Sequence, residues 1–174
     1  MADLVKFIRD VPDFPKKGIM FKDITPLLGN VEALRQAVEE MCKPFRAAGI
    51  QAVVGIESRG FIFGSLVADR LGAGFVPVRK KGKLPAATVS QSYELEYGTD
   101  HIEIHADAIA KGAKVLMIDD LLATGGTMAA ACKLVEKVGG KVAGVAFVVE
   151  LGFLNGRKKL NGYQVHSLIQ VSGE

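Results

Sequence analysis

The segment VLMIDDLLATGGT (residues 115–127) places two adjacent acids, Asp119 and Asp120, directly ahead of a small, glycine-rich turn. The turn has the residue types of an anion site. Gly125 and Gly126 allow positive φ and close backbone approach, Thr124 and Thr127 offer hydroxyl donors, and Ala123 adds no bulk. A helix starting at Thr127 would also present unpaired N–H groups carrying a partial positive charge. A bare phosphate would be repelled by the two carboxylates. A phosphorylated sugar resolves the conflict, because its phosphate would rest on the turn while its hydroxyls donate to the acids. The chemistry indicated is that of a ribose 5-phosphate group.

Other polar residues divide into candidates and background. Arg59 lies in ESRGF, where an apolar strand hands over to a helix, a position that favours a functional arginine over an ordinary solvated one. The run RKKGK (79–83) reads as a loop facing a polyphosphate rather than a nucleic-acid patch, and GRKKL (156–160) as a solvated face. His101, His105 and His166 have no zinc-ligand spacing and read as structural or exposed. Cys42 and Cys132, far apart in sequence, read as reduced thiols without metal or redox pairing.

These residues need a scaffold, and the apolar pattern supplies one. AVVGI (52–56), GFVPVR (74–79), KVLMID (114–119) and KVAGVAFVV (141–149) are nearly continuous apolar runs, as expected of parallel strands buried on both faces. VEALRQAVEEMCKPFRAAG precedes the first, and FIFGSLVADRLG and TMAAACKLVEKVGG are crossover helices. Asn30 is placed to cap the first helix, Pro44 to kink or end it, and Gly72 and Gly139 to close the others. Alternation in SYELEYG and HIEIH predicts antiparallel ribbon strands, an excursion over about residues 81–105. The first thirty residues, with three prolines, cannot form a central strand and are expected to wrap over one end. One α/β domain spanning 1–174 is the expectation.

Composition narrows the function. The chain has 174 residues, 49% of them hydrophobic, and a formal charge of +3 without a dense basic block, which argues against nucleic acid and fits a small anionic substrate. MADLVKFIRD does not resemble a signal peptide, and VAGVAFVV is too short to span a bilayer, so a soluble cytoplasmic protein without membrane contact is expected.

The acid-acid-spacer-TGGT string resembles the phosphoribosyl-pyrophosphate (PRPP) motif of the type I phosphoribosyltransferases. DFPKKGIMFKDITPLL, GIESRGFIFG, VRKKGKLP, SYELEYG and VVELGFLNGRKKL, in that order, are similar to the adenine-specific branch of that family. The resemblance implies a five-stranded, mostly parallel sheet between helices, an N-terminal hood from residues 1–30 and a mobile antiparallel loop. It further implies transfer of ribose 5-phosphate from PRPP to adenine, giving AMP and pyrophosphate in purine salvage. Magnesium would be held by PRPP and water rather than by protein side chains, and the chain would form a homodimer.

Carried over by residue, the resemblance puts the 5-phosphate on Ala123, Thr124, Gly125, Gly126 and Thr127 and the ribose hydroxyls on Asp119 and Asp120, both expected at a solvent-facing strand end. Glu57, Ser58 and Tyr97 join the PRPP site, with a cis peptide implied between Glu57 and Ser58. Arg59 and Lys83 would meet pyrophosphate, and Glu96 would handle the proton displaced from the base. Met20, Phe21 and Lys22 would cover adenine, with Leu151 against its face. Lys22 stands where many relatives have Arg and Glu57 where some have Asp. A phosphoribosyltransferase for another base is disfavoured by the hood and SYELEYG. A non-catalytic PRPP-binding regulator would need a DNA-binding domain, and a Rossmann module would need a G-x-G-x-x-G after a strand.

Overall fold

The computed structural model describes residues 3–94 and 98–173. Its centre is a seven-stranded sheet in the order β5-β6-β4-β3-β7-β8-β9, where β3 is Ala52–Ile56, β4 Gly74–Lys80, β5 Thr88–Glu94, β6 Thr99–His105, β7 Lys114–Leu122, β8 Lys141–Leu151 and β9 Val165–Val171. The run β4-β3-β7-β8-β9 is parallel throughout. β5 and β6 form the antiparallel ribbon, joined to β4 by the pairs Arg79↔Glu103 and Lys80↔Ile102. The ribbon therefore extends the sheet rather than standing apart from it.

Period-two alternation sends successive side chains to two cores. Ala52, Val54, Ile56, Val115, Met117, Val145 and Phe147 pack on one face beneath α4 (Gly126–Lys137). Val53, Leu116, Ile118, Ala146 and Val148 pack on the other beneath α2 (Val31–Cys42) and α3 (Gly60–Leu71). Asn30 caps α2, its side chain accepting from Ala33 N, and the helix gives way at Cys42 to a 3-10 turn that includes Pro44. Gly72, with φ 66°, closes α3. Towards the N-terminus, β1 (Arg9–Val11) pairs with β2 (Phe21–Asp23) in a separate two-stranded sheet, followed by the short α1 (Thr25–Leu28).

Two expectations change. β7 does not stop at the first acid but runs on to Leu122, so both aspartates lie within a strand paired to β8. The fifth parallel strand, β9, was not evident in VHSLIQV, because an edge strand is half buried and carries alternating polar residues.

Candidate active site

The carboxyl ends of the parallel strands converge on one rim, where open α/β sheets bind ligands. Beyond β7 the chain turns through residues 123–126 into α4, with Gly125 at φ 76° and no side-chain cap on the helix. The first-turn N–H groups of α4 are thus left for a ligand. A hollow of about 90 Å³, lined by Asp119, residues 121–128 and Phe147, opens at this turn. Well below the roughly 300–1,000 Å³ of a whole ligand pocket, it suits a phosphate-sized group rather than a nucleoside.

Asp119 and Asp120 sit at the base of this rim. Asp119 Oδ1 accepts from Asp120 N at 3.0 Å, and Asp120 is only 3% exposed. Arg59, at the start of α3, brings Nε to 2.9 Å from Asp120 Oδ2. Burial, and then the adjacent charge of Asp120, pushes the Asp119 carboxyl well above its ordinary value. Burial raises Asp120 as well, while Arg59 opposes that rise. The expectation that both acids face solvent is therefore corrected for Asp120, which is buried where β7 continues past it, whereas Asp119 is half-buried and lines the hollow beside α3. Gly60 makes this possible, since a β-carbon there would stand 2.9 Å from Asp119 Oδ1.

The peptide between Glu57 and Ser58, in the turn after β3, is cis. Ser58 is exposed, whereas Glu57 is engaged: Arg79 Nε and Nη2 donate to its Oε2 and Oε1 at 3.1 and 2.8 Å, and Lys80 N donates to Oε2 at 3.2 Å. Arg79 hydrogen bonding, followed by burial working the other way, leaves the Glu57 carboxyl below its ordinary value, with Lys83 contributing a further lowering charge. Arg79 Nη1 also donates to the Lys83 carbonyl at 3.0 Å, and Gly82 N donates to the buried Glu103 at 2.9 Å. The basic loop is thus divided in labour. Arg79 anchors it inward, and Lys83 remains exposed near the Glu57 turn.

On the hood, Phe21 makes an edge-to-face contact with Phe14 at 5.1 Å, and the Arg59 guanidinium lies 5.0 Å from the Phe21 ring centroid. Lys22 Nζ is paired with Asp10 Oδ1 at 2.7 Å, which draws its ammonium to β1. Met20 and Ile19 are exposed. Leu151, the last residue of β8, is buried at the same rim. Glu96 and Tyr97 lie outside the described residues.

Three contributors escaped sequence reasoning. Tyr93 donates to Asp100 Oδ2 at 3.2 Å; burial, then the Asp100 charge, raises its phenol, while the Thr127 side chain opposes that rise, which places the ribbon beside the phosphate turn. SYELEYG contains it, but nothing in that string alone marks its first tyrosine as the one that reaches the turn. Gly156 packs on the turn, and Arg157 is locked to Glu150, whereas the sequence suggested a solvated face for both. No local pattern signals those contacts. Among the described residues, no cluster of three or more His, Cys, Asp or Glu side chains could hold a metal.

The chain is similar to known proteins along nearly its whole length. Residues 29–169 fit the model of the phosphoribosyl transferase domain. An adenine phosphoribosyltransferase of Chloroflexus aurantiacus is 59% identical over 168 residues, covering 97% of both chains. The crystal structure of adenine phosphoribosyltransferase from Rhodothermus marinus superposes with a TM-score of 0.93 at 57% identity, covering 97% of this chain and 96% of that one. The Saccharomyces cerevisiae enzyme, complexed with D-2,5-dideoxy-2,5-imino-altritol 1,6-bisphosphate and adenine, gives a TM-score of 0.90 at 42% identity, covering 95% of this chain and 96% of that one. With a matching domain over most of its length and the acids, turn and arginine at one sheet edge, the chain belongs to the phosphoribosyl transferase domain family.

Proposed function

We propose that this chain transfers the ribose 5-phosphate group of PRPP to adenine, releasing pyrophosphate and forming AMP. The observation that carries the proposal is the convergence of the uncapped α4 N-terminus, the Asp119–Asp120 pair and Arg59 on one rim, in a chain similar along nearly its whole length to adenine phosphoribosyltransferases. The turn at 123–127 receives the 5-phosphate and the two aspartates accept from the ribose hydroxyls. In the free chain Arg59 neutralises Asp120, so an anion site can carry its own negative charge without repelling its substrate.

Pyrophosphate departs from the anomeric carbon, and the oxocarbenium-like sugar is captured by an imidazole-ring nitrogen of the purine. No protein nucleophile is required. Arg59, with Lys83, stabilises the negative charge that grows on the departing phosphates. Magnesium, held by PRPP and water rather than by protein side chains, would supply further neutralisation of those phosphates. Glu96 takes the proton lost by the purine, and Tyr97 joins the residues that bind PRPP. On the base side, the main chain at Met20 and Lys22 reads adenine, with Phe21 and Leu151 against the ring. Since Lys22 Nζ is already paired with Asp10, its side chain is spared for the hood and not for the base.

The same proposal includes a homodimer, supported by exposed Val31 and Leu66 along an apolar groove between α2 and α3. It also places the protein in the cytoplasm; no described helix is long and apolar enough to cross a membrane.

The test is pyrophosphate release from PRPP and magnesium with adenine, hypoxanthine, guanine or orotate supplied in turn. Adenine offers a donor beside an acceptor, and hypoxanthine reverses the pair, leaving buried polar groups unmatched. Adenine is expected to exceed the others by at least about 10³ in kcat/KM. Comparable values for adenine and hypoxanthine would refute the hood assignment, and release without any base would refute transfer.

A further inference from the structure

The turn after β8 reads in sequence as a basic surface strip, yet its first two residues reach the rim. Gly156 is buried and meets the phosphate turn backbone to backbone. A β-carbon on Gly156 would collide with the Ala123 carbonyl and stand 3.1 Å from Gly125 N, and one on Gly125 would collide with the Gly156 carbonyl. Where Gly156 is held therefore decides where the phosphate turn sits.

Its neighbour Arg157 does the holding. Arg157 Nε donates to Glu150 Oε1 at 2.6 Å, Nη2 donates to Oε2 at 2.7 Å, and Nη1 donates to the Val165 carbonyl at 3.1 Å. One planar fork thus joins the end of β8, the start of β9 and the turn containing Gly156, a geometry that a point charge cannot reproduce. Glu150 is 5% exposed and immediately precedes Leu151.

We infer that Arg157 and Glu150 are a positioning pair for the 5-phosphate: they touch no substrate, but fix Gly156 and through it the amides of residues 123–127. The inference rests on the assignment of that turn to the phosphate of PRPP. It predicts an effect confined to one end of the substrate. Ribose 5-phosphate probes the turn, whereas pyrophosphate probes the Arg59 and Lys83 side, and a pair that merely supported the fold would affect both alike.

The experiment is calorimetric titration of the intact protein with each ligand in the presence of magnesium, alongside thermal melting. Arg157→Lys keeps a positive charge opposite the buried Glu150 and loses the fork. Ribose 5-phosphate affinity should fall about tenfold, a conservative fraction of the roughly 10² that a 1 Å misplacement can cost. Pyrophosphate affinity should stay within about twofold, with the melting midpoint near the parental value. Arg157→Ala should show the same selective loss, and millimolar guanidinium should reverse it by entering beside Glu150, where the arginine side chain is 41% exposed. If Arg157→Ala does not fold, Arg157→Lys and Glu150→Gln carry the test. An unchanged ribose 5-phosphate affinity in folded Arg157→Lys, parallel weakening of both ligands, or no guanidinium response in a folded Arg157→Ala overturns the inference. Failure of the parent itself to bind ribose 5-phosphate would instead refute the turn assignment, and the inference with it.

Discussion

Replacing both aspartates by asparagine should move function and stability in opposite directions. Asp119 and Asp120 are both raised above the ordinary carboxyl value of 3.8, Asp119 the more strongly. An acid raised on folding binds its proton more tightly in the native state than in the unfolded one. Its contribution to stability is therefore complete below the unfolded value and is lost as pH rises through the folded one. At neutral pH the pair consequently weakens the fold, and Asp119→Asn/Asp120→Asn removes that burden. The asparagine side chain at position 119 would retain an oxygen for the backbone N–H of residue 120, and Arg59, whose side chain is 33% exposed, would remain solvated. Function should move the other way. With one Asp119 oxygen already occupied, each carboxylate has about one charge-assisted hydrogen bond to give a ribose hydroxyl, worth about 1.5–3 kcal/mol. Two such losses amount to about 3–6 kcal/mol, or roughly 10²–10⁴ in PRPP affinity. Calorimetric titration with PRPP, paired with melting curves at pH 4 and pH 7.5, reads both effects. The variant should melt at or above the parent at pH 7.5, with the gap shrinking towards pH 4. Parental affinity, or a melting point at pH 7.5 that falls along with binding, would refute the reasoning.

Arg79→Lys gives up the paired contacts to Glu57, so amide exchange over residues 80–84 should accelerate; unchanged exchange would show that Arg79 does not anchor the loop. Burial pushes the Cys42 thiol up to about 11 and the Cys132 thiol up to about 12, so alkylation at pH 8 should be slow in the native protein and rapid in urea. Fast labelling of the folded chain would contradict the burial of both. Phe147→Ala, at a fully buried β8 position, should cost about 3–5 kcal/mol in urea unfolding, and a loss below about 1 kcal/mol would mean that the core relaxes around the gap.

What the sequence revealed follows from the range of the interactions involved. The phosphate turn was legible because its chemistry is local: glycine for positive φ, hydroxyls beside it, a helix behind it. The buried parallel strands were legible because both faces are apolar. β9 was not legible for the converse reason, since VHSLIQV is mostly half-buried and carries polar residues among its apolar ones. RKKGK announced its charge but not that Arg79 turns inward to Glu57, and GRKKL announced a surface while concealing buried Gly156 and Leu160. The pairs Arg59–Asp120, Glu57–Arg79 and Glu150–Arg157 join different elements, so only the folded chain brings them together. Resemblance supplied roles for Glu96 and Tyr97 that the described residues do not include.

The strand order also sets a timetable for synthesis. β3 lies between β4 and β7, and its two neighbours come from very different points along the chain. The β4 side can pair soon after β3 is made. The β7 side waits for about sixty further residues, which at roughly 5–20 residues per second is several seconds of elongation. During that interval one edge of β3 has no native partner, and the apolar side chains of Val53 and Val54 lack the Leu116 and Met117 neighbours they acquire in the finished sheet. A ribosome pause between the codons for β4 and β7 would prolong exposure of that edge, whereas one late enough for β7 to have left the ribosome would not.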